Sequence, residues 1–498
     1  MQATTDEGAT TGLAEAVNEL LPALEQFMRF EDQDPAASAS VQWRGALDEP
    51  LPQQGAGAEA TLRILKEVVI PHGLRTGAPG FAGWVTTMPT VTPAAAALSA
   101  SIAGAQRWWA QSYNFLEYLA LEWIKQLLGL PASYQGTFAS GGSVANLIAL
   151  GAARQWAGEQ RGIDASEEGL AALPRPRLYA SNEVHHVVHR AAGVLGMGRR
   201  ALVQVPVDDA FRLDVDALRE RLRRDKAEDC TPVAVIASAG TVNTGAVDPI
   251  RDILQVCREE RVWLHVDGAY GGFGILDPEV ATLFDGFAEA DSIVVDPHKW
   301  MAVPLGCGAT FVRDRGLLGR AFTLEPAEYL EGSSSQFESI GSQFDHLGYT
   351  LHDFNVEQSA RSRGVTVWAA LKEMGANGMG ARVRRHNSFA RRLAGLVEQS
   401  PVLELLAPVT LSICCFRYAP PELRGRGGSE QALNDLNREV LTRLHHEHHH
   451  IPSSTEIDGA FAIRPCYINP RTTLADVEGL ATAVERIGAR VWGERKCE

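Results

Sequence analysis

Between residues 177 and 313, six short apolar runs stand at 177–181, 201–207, 233–239, 262–267, 292–296 and 309–313. Helical periodicity fills 143–158 ahead of them, and 215–225 (with Asp214 placed to cap) and 250–261 between them. A strand that packs on one face alternates apolar and polar residues, whereas a near-continuous apolar run is buried on both faces. Such runs, spaced by helices, pair in parallel beneath helices on both sides. The pattern predicts an α/β protein built on a mostly parallel sheet. Ligands in such sheets bind beyond the carboxyl ends of the strands, and the unusual residues of this chain stand at those ends.

The 498 residues allow two or three domains. We expect an N-terminal helical and linker segment over 1–110, a large α/β domain over 111–376 and a smaller α+β domain over 377–498. Leu13, Val17, Leu20, Leu21, Leu24 and Phe27 lie on one face of a helix over 11–30, and a Pro/Gly/Gln/Ala-rich linker over 36–60 follows it. A helix tethered in this way often packs on a partner, which predicts a dimer. The Ser/Gly/Gln-rich stretch from 332 past Tyr349 has the composition of a mobile active-site loop or of a plain connector.

A net charge of -15 argues against a nucleic-acid partner, which calls for a basic surface. The start, Met1-Gln2-Ala3-Thr4-Thr5-Asp6-Glu7, has neither a basic region nor an apolar core, and the apolar stretch at 93–105 is too short to span a bilayer. Seven cysteines are scattered without a CxxC pair, so no disulfide framework or zinc knuckle is expected. The expectation is a cytoplasmic protein without a membrane partner.

Five strand ends carry candidate chemistry. The run at 292–296 leads into Asp296-Pro297-His298-Lys299-Trp300. In a dry pocket beside another cation, a lysine loses basicity and becomes a nucleophile able to form a Schiff base; the dipeptide alone fits a surface lysine as well. Ser140-Gly141-Gly142-Ser143 opens an apolar helix and fits a phosphate cradle or a plain N-cap turn. With no GxxxxGK[ST] and no GxGxxG after a first strand, ATP and NAD lose their anchor. Asp267, in His265-Val266-Asp267-Gly268-Ala269, ends a buried run, and a buried Asp needs a partner: Mg²⁺ or a protonated heterocyclic nitrogen. His185 follows the run at 177–181, and Gly240-Thr241 follows that at 233–239. Each of these two also fits a structural role.

In this order along one sheet, the set resembles the group II pyridoxal-phosphate-dependent amino acid decarboxylases, the aromatic-amino-acid and glutamate decarboxylase family. The motifs that carry it are Ser140-Gly-Gly-Ser-Val-Ala-Asn146, Asn182-Glu-Val-His185, Gly240-Thr241, His265-Val-Asp-Gly-Ala269 and Asp296-Pro-His-Lys-Trp300. Leu128-Gly129-Leu130-Pro131 and Asn469-Pro470-Arg471-Thr472-Thr473 extend it.

The resemblance implies the type I fold of pyridoxal-phosphate enzymes, and a homodimer with its active sites near the subunit interface. It implies that Lys299 forms the Schiff base with the cofactor, that His185 stacks on the ring and that Asp267 pairs with the ring nitrogen. Ser140, Gly142 and Ser143 would hold the phosphate with His298 adjoining, and Thr241 and Ala269 would touch the ring. Asp296 departs from relatives that carry an asparagine phosphate ligand there; a carboxylate repels phosphate, so Asp296 is either turned away or protonated. The family's Ser-Pro-Ala segment is replaced by Ser112-Tyr113-Asn114.

A loop tyrosine protonates the substrate carbanion in the family. Tyr349 is the candidate here, with Tyr329 and His352 as alternatives. Trp84, Trp108 and Trp109 fall in the segment that resembles the substrate pocket and favour an aromatic substrate, although three tryptophans fit a core or an interface as well. Arg464 or His186 would instead meet an acidic side chain. The run His445-His446-Glu447-His448-His449-His450 reads as a solvated face or the lining of a dimer groove rather than a metal site. The implied reaction converts an L-amino acid to its amine and CO₂. The alternatives are a decarboxylating aldehyde synthase, an aminotransferase, and an inactive homologue, against which intact Lys299, Asp267 and His185 weigh.

Overall fold

The computed structural model describes residues 12–30, 42–105, 111–171, 173–323, 354–424, 429–447 and 449–497. Its strands, in chain order, are β1 (Phe81–Ala82), β2 (Gln135–Ala139), β3 (Pro176–Ser181), β4 (Leu202–Val205), β5 (Thr231–Ser238) and β6 (Trp263–Asp267), followed by β7 (Ser292–Val295), β8 (Gly308–Val312), β9 (Leu403–Leu405), β10 (Phe416–Tyr418), β11 (Ile451–Ile457) and β12 (Ala460–Arg464).

Seven of them form one sheet in the order β2-β8-β7-β6-β5-β3-β4. Neighbours from β7 to β4 are parallel, and β8 is antiparallel to both β7 and β2. Only a single helical turn, Pro297–Trp300, lies between β7 and β8. The link over 296–307 holds no helix long enough to lie across a face of the sheet, and the chain doubles back. Both faces are covered. Leu264 and Val266 of β6 join one core cluster, while Trp263 packs with Ala145, Ile148 and Ala149 of the helix Gly142–Glu159 in another.

A second sheet runs β1-β11-β12-β10-β9, with the helices Glu430–Glu447 and Leu474–Cys497 packed against it. Its edge strand β1 comes from far upstream: Phe81 and Ala82 pair in parallel with Ile451 and Pro452. Asn469 Nδ2 and Thr472 Oγ1 fasten the same segment by donating to Ala78 O (2.7 Å) and Pro79 O (2.8 Å). A two-residue strand leaves no periodicity to detect.

Two expectations change. The described part of the supposed linker at 36–60 holds the helix Gln42–Leu47 and the start of Gly57–Ile64, because Ala58, Glu59, Leu62 and Arg63 are good helix formers. The strand expected over 292–296 stops at Val295, since Asp296 leaves the ladder to precede a proline at the first helical position. The helix Leu13–Phe27 buries none of its residues; Glu19 pairs with Lys66 at 2.8 Å and the Phe27 ring lies under the Arg75 guanidinium. Among the described residues, no helix is long and apolar enough to cross a membrane.

Candidate active site

The carboxyl ends of β3, β5, β6 and β7 open on one side of the large sheet. At the end of β7, Asp296 is 1% exposed and Lys299 sits one turn later. Lys299 Nζ lies 3.0 Å from Asp296 Oδ2, and His298 Nε2 lies 3.9 Å from the same oxygen. The other oxygen, Oδ1, finds no hydrogen-bond donor among the described residues. His298 Nδ1 donates to Cys307 O (2.7 Å), which fixes its tautomer, and burial pushes the imidazole below its ordinary pKa.

Above Asp296 runs the glycine turn between β2 and the helix Gly142–Glu159. Gly141 takes φ 111° and ψ 177°, a conformation closed to side chains. The first amides to bond back are those of Val144 and Ala145, both to Gly141 O. The N–H groups of Gly142 and Ser143 therefore head the helix, where its dipole favours an anion. Space beneath the turn is tight. A Cβ on Gly142 would stand 2.6 Å from Asp296 Oδ2, and one on Gly308 would stand 2.7 Å from Oδ1.

Asp267 ends β6, 9% exposed, and its Oδ1 accepts from Ala269 N (3.1 Å). His185 follows β3 with Nδ1 accepting from Val187 N (3.3 Å); burial lowers its pKa, against the pull of Asp267. Thr241 after β5 shares a hydroxyl bond with Thr244 (3.0 Å). Behind these groups, His265 bridges Asn146 Oδ1 and Ser292 Oγ, each at 2.9 Å.

One cavity of about 1090 Å³ brings together Ser140, Gly142, Ser143, His185, Thr241, Asp267, Ala269, Asp296, His298 and Lys299, and also Trp84 and Arg464. The exposed His186 does not line it. Tyr349 and Trp109 lie outside the described residues, as do Tyr329, His352 and Trp108. Arg464 lines the wall but is already engaged. Its Nε donates to Asn243 O (3.0 Å), Nη1 to Trp84 O (3.1 Å) and Ser453 Oγ (3.2 Å), and Nη2 to Val242 O. Three of these bonds go to backbone carbonyls and one to a hydroxyl, so Arg464 braces the cavity wall.

Trp84, 59% exposed at φ 50°, is a bulky residue in the left-handed region, and the Arg464 bond to its carbonyl helps hold it there. Sequence reasoning missed Glu183, Asn243 and Ile451 on the cavity wall, and gave His445 no place there. Glu183 lies inside the Asn182-Glu-Val-His185 motif and was legible; the others carry no local signal.

A mostly parallel sheet that gathers a lysine, a strand-end carboxylate and the open start of a helix around one cavity has the make-up of a cofactor-dependent α/β enzyme. The model of the pyridoxal-dependent decarboxylase conserved domain matches residues 45–419. The aromatic-L-amino-acid decarboxylase of Bacillus atrophaeus is 30% identical over 457 residues, which cover 90% of this chain and 89% of that one. The L-2,4-diaminobutyrate decarboxylase of Rhizobium meliloti (strain 1021) is 28% identical, over 94% of this chain and 90% of that one. Oryza sativa TDC, solved with PLP and tryptamine, has the same fold, with a TM-score of 0.86 at 24% identity over 97% and 99% of the two chains. The chain belongs to the pyridoxal-dependent decarboxylase family. It is a pyridoxal-phosphate-dependent carboxy-lyase acting on an amino acid. The residues present fit that cofactor, because an acceptor for a protonated ring nitrogen, free helix-start amides and a lysine face one cavity.

Proposed function

We propose that Lys299 is the cofactor-bonding lysine, and that Asp267 holds the ring nitrogen protonated. When bound, pyridoxal phosphate supplies an electron sink for the pair left on Cα as CO₂ departs. Asp267 Oδ2 would hold the ring nitrogen protonated and so keep that sink charged. The amides of Gly142 and Ser143 would hold the phosphate, with Ser140 and His298 alongside. His185, whose charged form burial disfavours, would stand against the ring, and Thr241 and Ala269 would bound it. Lys299 would hold the cofactor and yield to the substrate amine. Tyr349 is proposed to return the proton to Cα. The single observation that supports this reading best is the pairing of β6 with β7, Asp267 opposite Val294, which opens Asp267 and Lys299 into the same cavity.

For the substrate we propose an aromatic L-amino acid. Phe81 and Trp84, with ring centroids 6.0 Å apart, give an apolar part to the wall of the cavity that Lys299 also lines. A second reading, a cationic side chain, is favoured by Glu183, whose carboxylate lines the cavity and accepts from Asn243 Nδ2 (2.8 Å). We also place the protein in the cytoplasm as a homodimer.

The test is borohydride reduction of the protein loaded with pyridoxal phosphate, followed by peptide mass analysis, together with CO₂, amine and peroxide release from aromatic, acidic and basic amino acids. The label should fall on Lys299. Lys299→Ala should take none, and its decarboxylation should drop roughly 10³-fold. A label elsewhere in the wild type refutes the assignment. Aldehyde and peroxide in place of amine would mark the aldehyde-synthase branch.

A further inference from the structure

Asp296 is the acid that the mechanism leaves without a task. Both its oxygens are buried under the glycine turn: one meets Lys299 Nζ at 3.0 Å and the other has no donor among the described residues. The glycines at 142 and 308 leave just enough room for the carboxylate, and any larger residue at either position would drive a Cβ into it. A carboxylate this dry is tolerable while a cation touches it and costly once the cation leaves. Lys299 is the cation that has to leave, because the same nitrogen must reach the cofactor.

We propose that Asp296 is a positioning residue that clasps Lys299 in the unloaded enzyme and makes cofactor loading proton-coupled, taking a proton from solvent when the lysine nitrogen departs. This rests on Lys299 being the cofactor-bonding lysine. The proton count is explicit. Condensation of the lysine ammonium with an aldehyde breaks the C=O bond, forms C=N and releases water, and the nitrogen keeps one positive charge. That step therefore draws no proton from solvent.

Moving the charged nitrogen toward the cofactor leaves a buried anion close to an arriving phosphate. The groups that face this carboxylate are Lys299 and His298 on its own turn, with His185 after β3 and Cys307 before β8 also within its field. The phosphate would bind at the helix start, where Gly142 lies against this carboxylate. None of these supplies a new positive charge on loading, so neutralisation comes from a proton.

The experiment is calorimetric titration of the cofactor-free protein with pyridoxal phosphate in two buffers of different ionisation enthalpy, which counts protons. Protonation at the ring nitrogen and at the phosphate is common to wild type and variant and cancels in the difference. Wild type should take up roughly one proton more than Asp296→Asn. The variant should load roughly tenfold faster in stopped flow, since no ion pair has to break. Lys299→Met provides an independent arm: with no cation to lose, its binding should lack the extra proton. Equal proton counts in wild type and Asp296→Asn, or in wild type and Lys299→Met, overturn the proposal. Failure of the wild type to bind pyridoxal phosphate at all would instead overturn the assignment of Lys299.

Discussion

His265 stands two residues before Asp267 and so shares its face of β6. Trp263 Nε1 can only donate, and it donates to Ser292 Oγ (2.8 Å). The Ser292 hydroxyl then donates to His265 Nδ1, His265 Nε2 to Asn146 Oδ1, and Asn146 Nδ2 to Gly142 O (2.8 Å). Both ends are fixed, so the whole row points one way and His265 is the neutral Nε2–H tautomer. It ties the strand of Asp267 to the first residue of the helix that would hold the phosphate. Burial pushes His265 from 6.5 down to about 4. A depressed histidine adds stability that is present above its unfolded value and lost as pH falls through its folded one. For a move from 6.5 to about 4 the loss is on the order of 3 kcal/mol. His265→Gln should therefore lose less stability than wild type between those two pH values, as read from urea midpoints at stepped pH. Parallel curves would refute the role. The Asp267 and Lys299 positions could be read from sequence because a charge ending an apolar run is conspicuous. The row behind them could not, since nothing local says that Asn146 meets His265.

At the scale of elements, the site depends on how closely the glycine turn approaches the start of β8. A Cβ at 308 would sit 2.7 Å from both Asp296 Oδ1 and Gly141 C. Backbone cannot retreat as a flexible side chain can, so Gly308→Ala should cost about 1–3 kcal/mol of unfolding free energy and weaken binding of pyridoxal phosphate as well. An unchanged urea midpoint would show that the turn is loose. The strands of the large sheet were legible because burial on both faces writes a continuous apolar run. Their directions were only partly so: the run at 309–313 looks like its neighbours, yet β8 is antiparallel, and the 296–307 connection, with prolines at 297 and 304 and no helical period, was the available clue. Arg464 was noticed for its charge, but its use as a clamp on the 84, 242–243 and 453 backbone and hydroxyl groups was not foreseeable, because carbonyl acceptors are the same in every residue.

For the whole molecule, the described residues leave several large apolar side chains exposed. Leu13, Leu21 and Leu24 of the first helix are 53%, 43% and 44% exposed, and Val91, Leu98 and Ile102 of the helix Val91–Ile102 are also exposed. Clusters of this kind mark association surfaces, which supports the proposed homodimer. Light scattering should give twice the 53.9 kDa of one chain, and the double variant Leu21→Lys/Leu24→Lys should shift the population toward single chains. A wild-type mass of one chain would rule the dimer out. One more property follows from the pairing of Phe81 with Ile451. Translation runs from residue 81 to residue 451 before that pair can form, so the strand that walls one side of the chamber waits for its partner while every strand of the large sheet is made. Until β11 emerges the chamber lacks that wall, and a growing chain offers the cofactor only part of its site.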